Sequence, residues 1–203
     1  MEPKTPERPT RAAVSSGAAA VIYGALGALG ALGAVLLLDQ SPLKHAGVAS
    51  LPMVARVLWG AGVGVAVVGL DRVGERFVPA LRRMGEGFAA LLGGLRERDA
   101  LLLAALSSVG EELFFRGFLQ PWIGLWWSSL LFGLLHLAPD RRLWMWPLLA
   151  AGMGLAFGGL FAYTGDLLAP VLAHFTINYF NLSALAQRRT LNSPLRGPGE
   201  DDG

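Results

Sequence analysis

Long apolar runs dominate this sequence and leave few folds open to it. Residues 17–38, 51–70, 100–121, 123–138, 143–164 and 166–186 form six segments that reach or approach the roughly 20 apolar residues a helix needs to cross a bilayer core. Of the 203 residues, 53% are hydrophobic and 16% charged, and the mean hydropathy is +0.48. Those values lie outside the usual range of soluble domains. The expected fold is therefore all-α, a polytopic membrane helix bundle of about six transmembrane helices. The sequence has no cysteine, which excludes disulfides, thiolate metal sites and a cysteine nucleophile. No basic groove-reading motif stands out, so nucleic acid is not an expected partner.

Charge placement gives the expected topology. Of the 17 Lys and Arg residues, 14 fall on one set of alternate sides and one, Lys44, on the other, with Arg56 and Arg116 inside segments. The positive-inside rule then puts both termini in the cytoplasm, and the abundance of Gly, Ala and Arg with the small size makes a bacterial cytoplasmic membrane the expected location. The first segment contains GALGALGALGA, whose Gly and Ala recur four apart, as in Gly24 and Ala28 or Gly27 and Ala31. Such small-xxx-small spacing lets helices approach closely in lipid. The run ends LLLDQSP without an A-x-A cleavage pattern, so it is expected to be retained rather than removed as a signal peptide.

Four regions follow. Residues 1–16 read as a polar tail, 17–99 as two accessory transmembrane helices plus an interfacial stretch, 100–186 as the functional core, and 187–203 as a disordered tail. The interfacial stretch carries Phe77, Leu81, Phe88, Leu91, Leu92 and Leu95 between charges, an amphipathic pattern suited to a membrane surface. Gly85, Gly87, Gly93 and Gly94 weaken it as a helix.

Ionisable residues inside apolar segments are costly and point to function. Glu112 and Arg116 are four apart, Glu first, the favourable order for a helical ion pair. They suit a neutralised clamp. Glu111 lies about 100° further round the helix and cannot readily share that Arg. Ser107 and Ser108, one turn back, are its expected hydrogen-bond partners, and a carboxylate in such surroundings suits a general base. Two of the three histidines, His136 in FGLLH and His174 in HFTIN, lie inside apolar segments. Phe132 can pack on the His136 ring, and Gly133 gives a neighbouring helix room. His174 and Asn178 share a helix face and suit a pair of donors aimed at one oxygen. Counting along the helices places Glu111, His136, His174 and Asn178 about 12–20 Å from the outer surface, in the central part of the bilayer.

The ordered set Glu111-Glu112-x-x-x-Arg116, Phe132-x-x-x-His136 and His174-x-x-x-Asn178 resembles the signature of the CPBP intramembrane proteases. That family, also called the Abi or CAAX-protease family, includes the CAAX prenyl endopeptidases. The resemblance covers about residues 100–186. It implies that Glu111 and His136 hold and activate water, that His174 and Asn178 stabilise the oxyanion, and that Glu112 and Arg116 give support. It further implies an endopeptidase acting on a membrane-anchored protein or peptide near its C-terminus, with a myxosortase-like sorting protease as one specific form. The cofactor is none, as the likeness to prenyl endopeptidases implies, or a zinc on Glu111, His136 and His174; the chain lacks H-E-x-x-H. The alternative is a non-catalytic protein on the same fold, either an immunity or scaffold protein or a small proton-coupled transporter. Against the transporter, no inverted repeat is visible.

Overall fold

The structure, a computed structural model, describes residues 16–92 and 95–192. It is an all-α bundle, with no strand among the described residues. The helices are α1 (Ser16–Leu38), α2 (Met53–Phe77), α3 (Pro79–Leu92), α4 (Glu97–Phe114), α5 (Gln120–Ile123), α6 (Leu125–Leu134), α7 (Trp146–Thr164) and α8 (Leu168–Asn192). A π-helical turn, Phe115–Leu119, joins α4 to α5, and a 3₁₀ turn, Arg141–Leu143, precedes α7. Three segments, Gly17–Leu38, Met53–Phe77 and Arg141–Thr164, are long and apolar enough to cross a membrane by length and composition. Leu36, Leu37, Val54, Leu58, Leu70, Trp126 and Trp127 stand exposed, as side chains facing lipid rather than water do.

Loops sort to two ends. At one end the α1–α2 loop meets the α7–α8 loop: Lys44 bridges to Asp166, His45 donates its N–H to the Gly165 carbonyl, and Arg56 ion-pairs with Asp166. At the other, α3 packs on the 3₁₀ turn, where Gly87 faces Leu143, and Phe88 meets Trp146 edge to face. This grouping matches the alternation of sides expected from charge. Met84 and Gly87 bury α3, whereas Leu91 stays exposed. The predicted amphipathic stretch thus forms a helix despite Gly85 and Gly87, and Gly93 and Gly94 lie outside the described residues. Most of the N-terminal tail also lies outside them. At the other terminus, α8 continues six residues past Ala186 to Asn192, with 193–203 outside.

The fourth predicted segment departs from expectation. Its helix, α6, has 10 residues, about 15 Å at 1.5 Å per residue, half a bilayer core of about 30 Å. Gly124, at φ 86°, starts it. Its end is tightened by short bonds, from His136 N–H to the Gly133 carbonyl and from Leu137 N–H to the Leu134 carbonyl. His136 therefore sits in a turn just past α6 rather than within a helix.

Small residues seat the first two helices on the core, because in lipid close packing must supply much of the association. On α1 the buried positions are Ala19, Gly27, Gly30, Gly33 and Ala34. A Cβ on Gly30 would lie 2.5 Å from Phe114 Cα, and one on Gly33 would lie 2.8 Å from the Phe118 ring. Gly24 and Ala28 are exposed, whereas Gly30 and Ala34, also four apart, are both buried, so the seam combines the three-residue repeat with the predicted spacing of four. On α2, Gly60 and Gly64 face Ala169, Ala173 and Thr176 of α8. Two apolar clusters result. One gathers Ala34, Phe115, Phe118, Leu119, Phe132 and Ala150; the other gathers Phe157, Leu160, Ala169, Ala173 and Ile177.

Candidate active site

Between those clusters lies the one group of charged side chains buried in the bundle interior among the described residues. Arg116, at 2% relative exposure, anchors it. The guanidinium lies over the rings of Phe132 at 4.8 Å, Phe157 at 5.4 Å and Phe115 at 5.7 Å from their centroids. Such faces stabilise a desolvated cation. Its Nη1 donates to Glu112 Oε1 at 3.2 Å and its Nη2 to the Gly154 carbonyl at 3.0 Å. Gly154 is required there, since a Cβ would meet Ser129 Cα at 2.9 Å. The π turn begins in the turn that separates Glu112 from Arg116: Phe115 N–H reaches the Glu111 and Glu112 carbonyls, and Gln120 N–H reaches back to Phe115. π turns often occur at functional sites.

Glu111 points elsewhere, as its helical position predicts. Its Oε2 is buried and has no hydrogen-bond partner among the described residues. His136 Nε2 and His174 Nε2 each lie 3.9 Å from that oxygen. This is too long for a direct hydrogen bond, and short enough for one water to touch both ends at about 2.8 Å.

Both rings are oriented through their other nitrogen. His136 Nδ1 is 2.6 Å from the Phe132 carbonyl and His174 Nδ1 is 2.8 Å from Glu112 Oε1. Phe132 packs on His136 with centroids 4.5 Å apart, as its spacing predicts, and Phe157 stacks on His174 at 5.0 Å. Gly133 lets α7 close on α6, since a Cβ there would lie 2.6 Å from the Pro147 carbonyl. Asn178, one turn beyond His174 on the same face, donates Nδ2–H to Ser107 Oγ at 2.9 Å.

Glu111, Glu112, Arg116, His136 and His174 thus come together, with Asn178 alongside through Ser107. Two sequence expectations fail. Ser107 and Ser108 do not bond Glu111; their hydroxyls donate to the Ala104 and Ala105 carbonyls, the usual back-bond of a serine within a helix. Glu112 is not confined to an ion pair, since the oxygen that takes Arg116 also takes His174 across 62 positions of sequence. No local spacing announces that contact. The Gln120 Nε2 bond to the Gly158 carbonyl, 3.0 Å, was equally hidden, although the Gly154-x-x-x-Gly158 spacing marks α7 as a close-packing face.

A zinc on Glu111, His136 and His174 can be tested against this geometry. The donor types suit zinc, but ligands about 2.0–2.2 Å from a tetrahedral ion sit only about 3.3–3.6 Å apart. Here the Nε2 to Oε2 separations are 3.9 Å, and among the described residues no three His, Cys, Asp or Glu are grouped to hold an ion. The residues as arranged do not fit the ion.

Comparison with known proteins bears on the same region. No solved structure matches the chain. A protein of Bacillus subtilis (strain 168), described as "Uncharacterized protein YpbD", is 30% identical over 125 residues, 61% of this chain. The chain spans 66% of the length of that relative. Residues 98–180 match the family described as Type II CAAX prenyl endopeptidase Rce1-like. Those residues include Glu111, Glu112, Arg116, His136, His174 and Asn178, so the similarity to that family covers every residue of the candidate site.

Proposed function

We propose that this chain is an intramembrane endopeptidase of the glutamate type, hydrolysing a peptide bond near the C-terminus or beside the membrane anchor of a substrate protein. One observation carries the reading: a buried carboxylate oxygen of Glu111, without a hydrogen-bond partner among the described residues, faces two imidazole nitrogens at 3.9 Å. As structure, such a group is costly. As a general base, it stands where it can take a proton from water.

Water held between Glu111 Oε2 and His136 Nε2 gives a proton to Glu111 as its oxygen attacks the scissile carbonyl carbon. The carbonyl π pair moves onto oxygen. The resulting oxyanion takes the second N–H of the Asn178 carboxamide and the Nε2–H of His174 in its doubly protonated form, whose charge lies beside Glu112. Collapse of the intermediate breaks the C–N bond, and the departing amine takes the proton from Glu111. Each step uses residues of this chain alone, and the 3.9 Å separation of each imidazole nitrogen from Glu111 Oε2 supports a mechanism without metal.

The family description supports peptidase chemistry. The substrate class is a membrane-anchored protein or peptide; removal of C-terminal anchors, as by a sorting protease, is the specific form. The charge distribution supports a cytoplasmic membrane with both termini on the cytoplasmic side. Mass spectrometry of membrane-protein C-termini, comparing cells with and without this chain, tests the reading. One or a few proteins should keep a C-terminal segment in the deletion strain and lose it on re-expression. Identical C-termini in both strains would overturn it.

A further inference from the structure

The second carboxylate of the Glu111-Glu112 pair is bound up with the imidazole of another helix. Glu112 is fully buried, and its Oε1 accepts from Arg116 Nη1 at 3.2 Å and stands 2.8 Å from His174 Nδ1. An ionised carboxylate only accepts, so Nδ1 is the nitrogen that carries hydrogen. His174 is thereby fixed with Nε2 turned toward Glu111, and Phe157 stacked on the ring holds its plane. We propose that Glu112 is a positioning residue for His174: its Oε1 holds the hydrogen on Nδ1 and sets the aim of the imidazole, and Arg116 holds that oxygen in place. The catalytic consequence rests on the endopeptidase reading; the hydrogen on Nδ1 does not.

Arg116 makes the idea sharp. A guanidinium has no acceptor, so the group facing Nη1 must be an oxygen. In Glu112→Gln the carboxamide oxygen therefore takes the Oε1 position, still accepts from Arg116, and still accepts from His174 Nδ1. The amide nitrogen takes the place of Oε2, which has no hydrogen-bond partner among the described residues. Glu112→Gln thus removes charge and keeps the acceptor for Nδ1–H, whereas Glu112→Leu removes both. A clamp acting only through charge would predict equal damage from the two.

The direct test is ring-nitrogen NMR on the full chain in detergent micelles, labelled with 15N-histidine. The chain has three histidines, and His136→Gln and His45→Gln spectra assign them. In the unsubstituted protein and in Glu112→Gln, His174 Nδ1 should appear as a protonated nitrogen. In Glu112→Leu that signature should be lost, with trimming of the substrate C-terminus falling on the order of a hundredfold, and by less than that in Glu112→Gln, which keeps the Nδ1–H contact. A bare Nδ1 in the unsubstituted protein, or an unchanged ring in Glu112→Leu, would overturn the proposal. Should Glu112→Leu not fold, the other two spectra still decide it. Because the ring is read without substrate, a failed protease assignment and a failed Nδ1 assignment give different results.

Discussion

The ring of Phe157 lies against the imidazole of His174, centroids 5.0 Å apart and planes 20° from parallel. Phe157 is 1% exposed and also presents its face to Arg116, so one apolar side chain steadies both the ring of α8 and the cation of the π turn. Phe157→Ala should cost about 3–5 kcal/mol of stability. Loss of folded protein on heating in detergent, read against the unsubstituted chain, checks this; equal heat resistance would contradict it.

The glycine seam of α1 makes a paired prediction. A Cβ on Gly30 would press on Phe114 Cα and the Leu113 carbonyl at 2.5–2.6 Å, whereas one on Gly24 would meet nothing within 4 Å. Both substitutions to Ala gain about the same helix propensity, so the contact alone separates them. Gly30→Ala should destabilise by about 1–3 kcal/mol, and Gly24→Ala should be neutral or slightly stabilising. Thermal retention of the two variants, measured side by side, gives the comparison.

Asp166 ties the loop end of the bundle together. It ion-pairs with Arg56, and its Oδ1 accepts the Leu168 N–H at 3.0 Å, serving the start of α8. Asp166→Ala removes both, and Arg56→Ala removes only the first. The former should cost about 1–2 kcal/mol more than the latter. The double variant should be no less stable than Asp166→Ala, since Arg56 then has no ion pair left to lose.

Much of the site was legible in sequence because charge in an apolar run is conspicuous and helical spacing fixes direction. Glu112 with Arg116, Phe132 beneath His136, and His174 with Asn178 on one face all follow from residues four apart. The contacts that assemble the site do not. Glu112 and His174 are 62 positions apart, and only the packing of α4 on α8 brings them to one point. Composition overstates the length of α6 because apolar residues continue past Leu134, while its end is set by backbone bonds around Gly133 and His136. The π turn escaped notice because Phe115–Leu119 has no composition that distinguishes i+5 from i+4 bonding. The small residues of α1 announced close packing, but which of them face α4 depends on the partner's surface, and Gly110 and Phe114 select Gly27 and Gly30.

Metal removal bears on the chemistry. With the Nε2 to Oε2 separations at 3.9 Å, wider than the roughly 3.3–3.6 Å edges of a tetrahedral zinc site, purified protein should retain activity after EDTA and phenanthroline. Elemental analysis should find no stoichiometric zinc. A bound equivalent whose removal abolishes cleavage would contradict the glutamate mechanism.

Glu111→Gln separates catalysis from structure most directly. The substitution keeps shape, removes the base, and leaves unpaired an atom that has no hydrogen-bond partner among the described residues already. Heat resistance should be unchanged or raised, because a buried charge is gone. Trimming of the substrate C-terminus should fall by about 10²–10⁴-fold, the share general-base catalysis supplies. Trimming at the unsubstituted rate in folded Glu111→Gln protein would contradict the account.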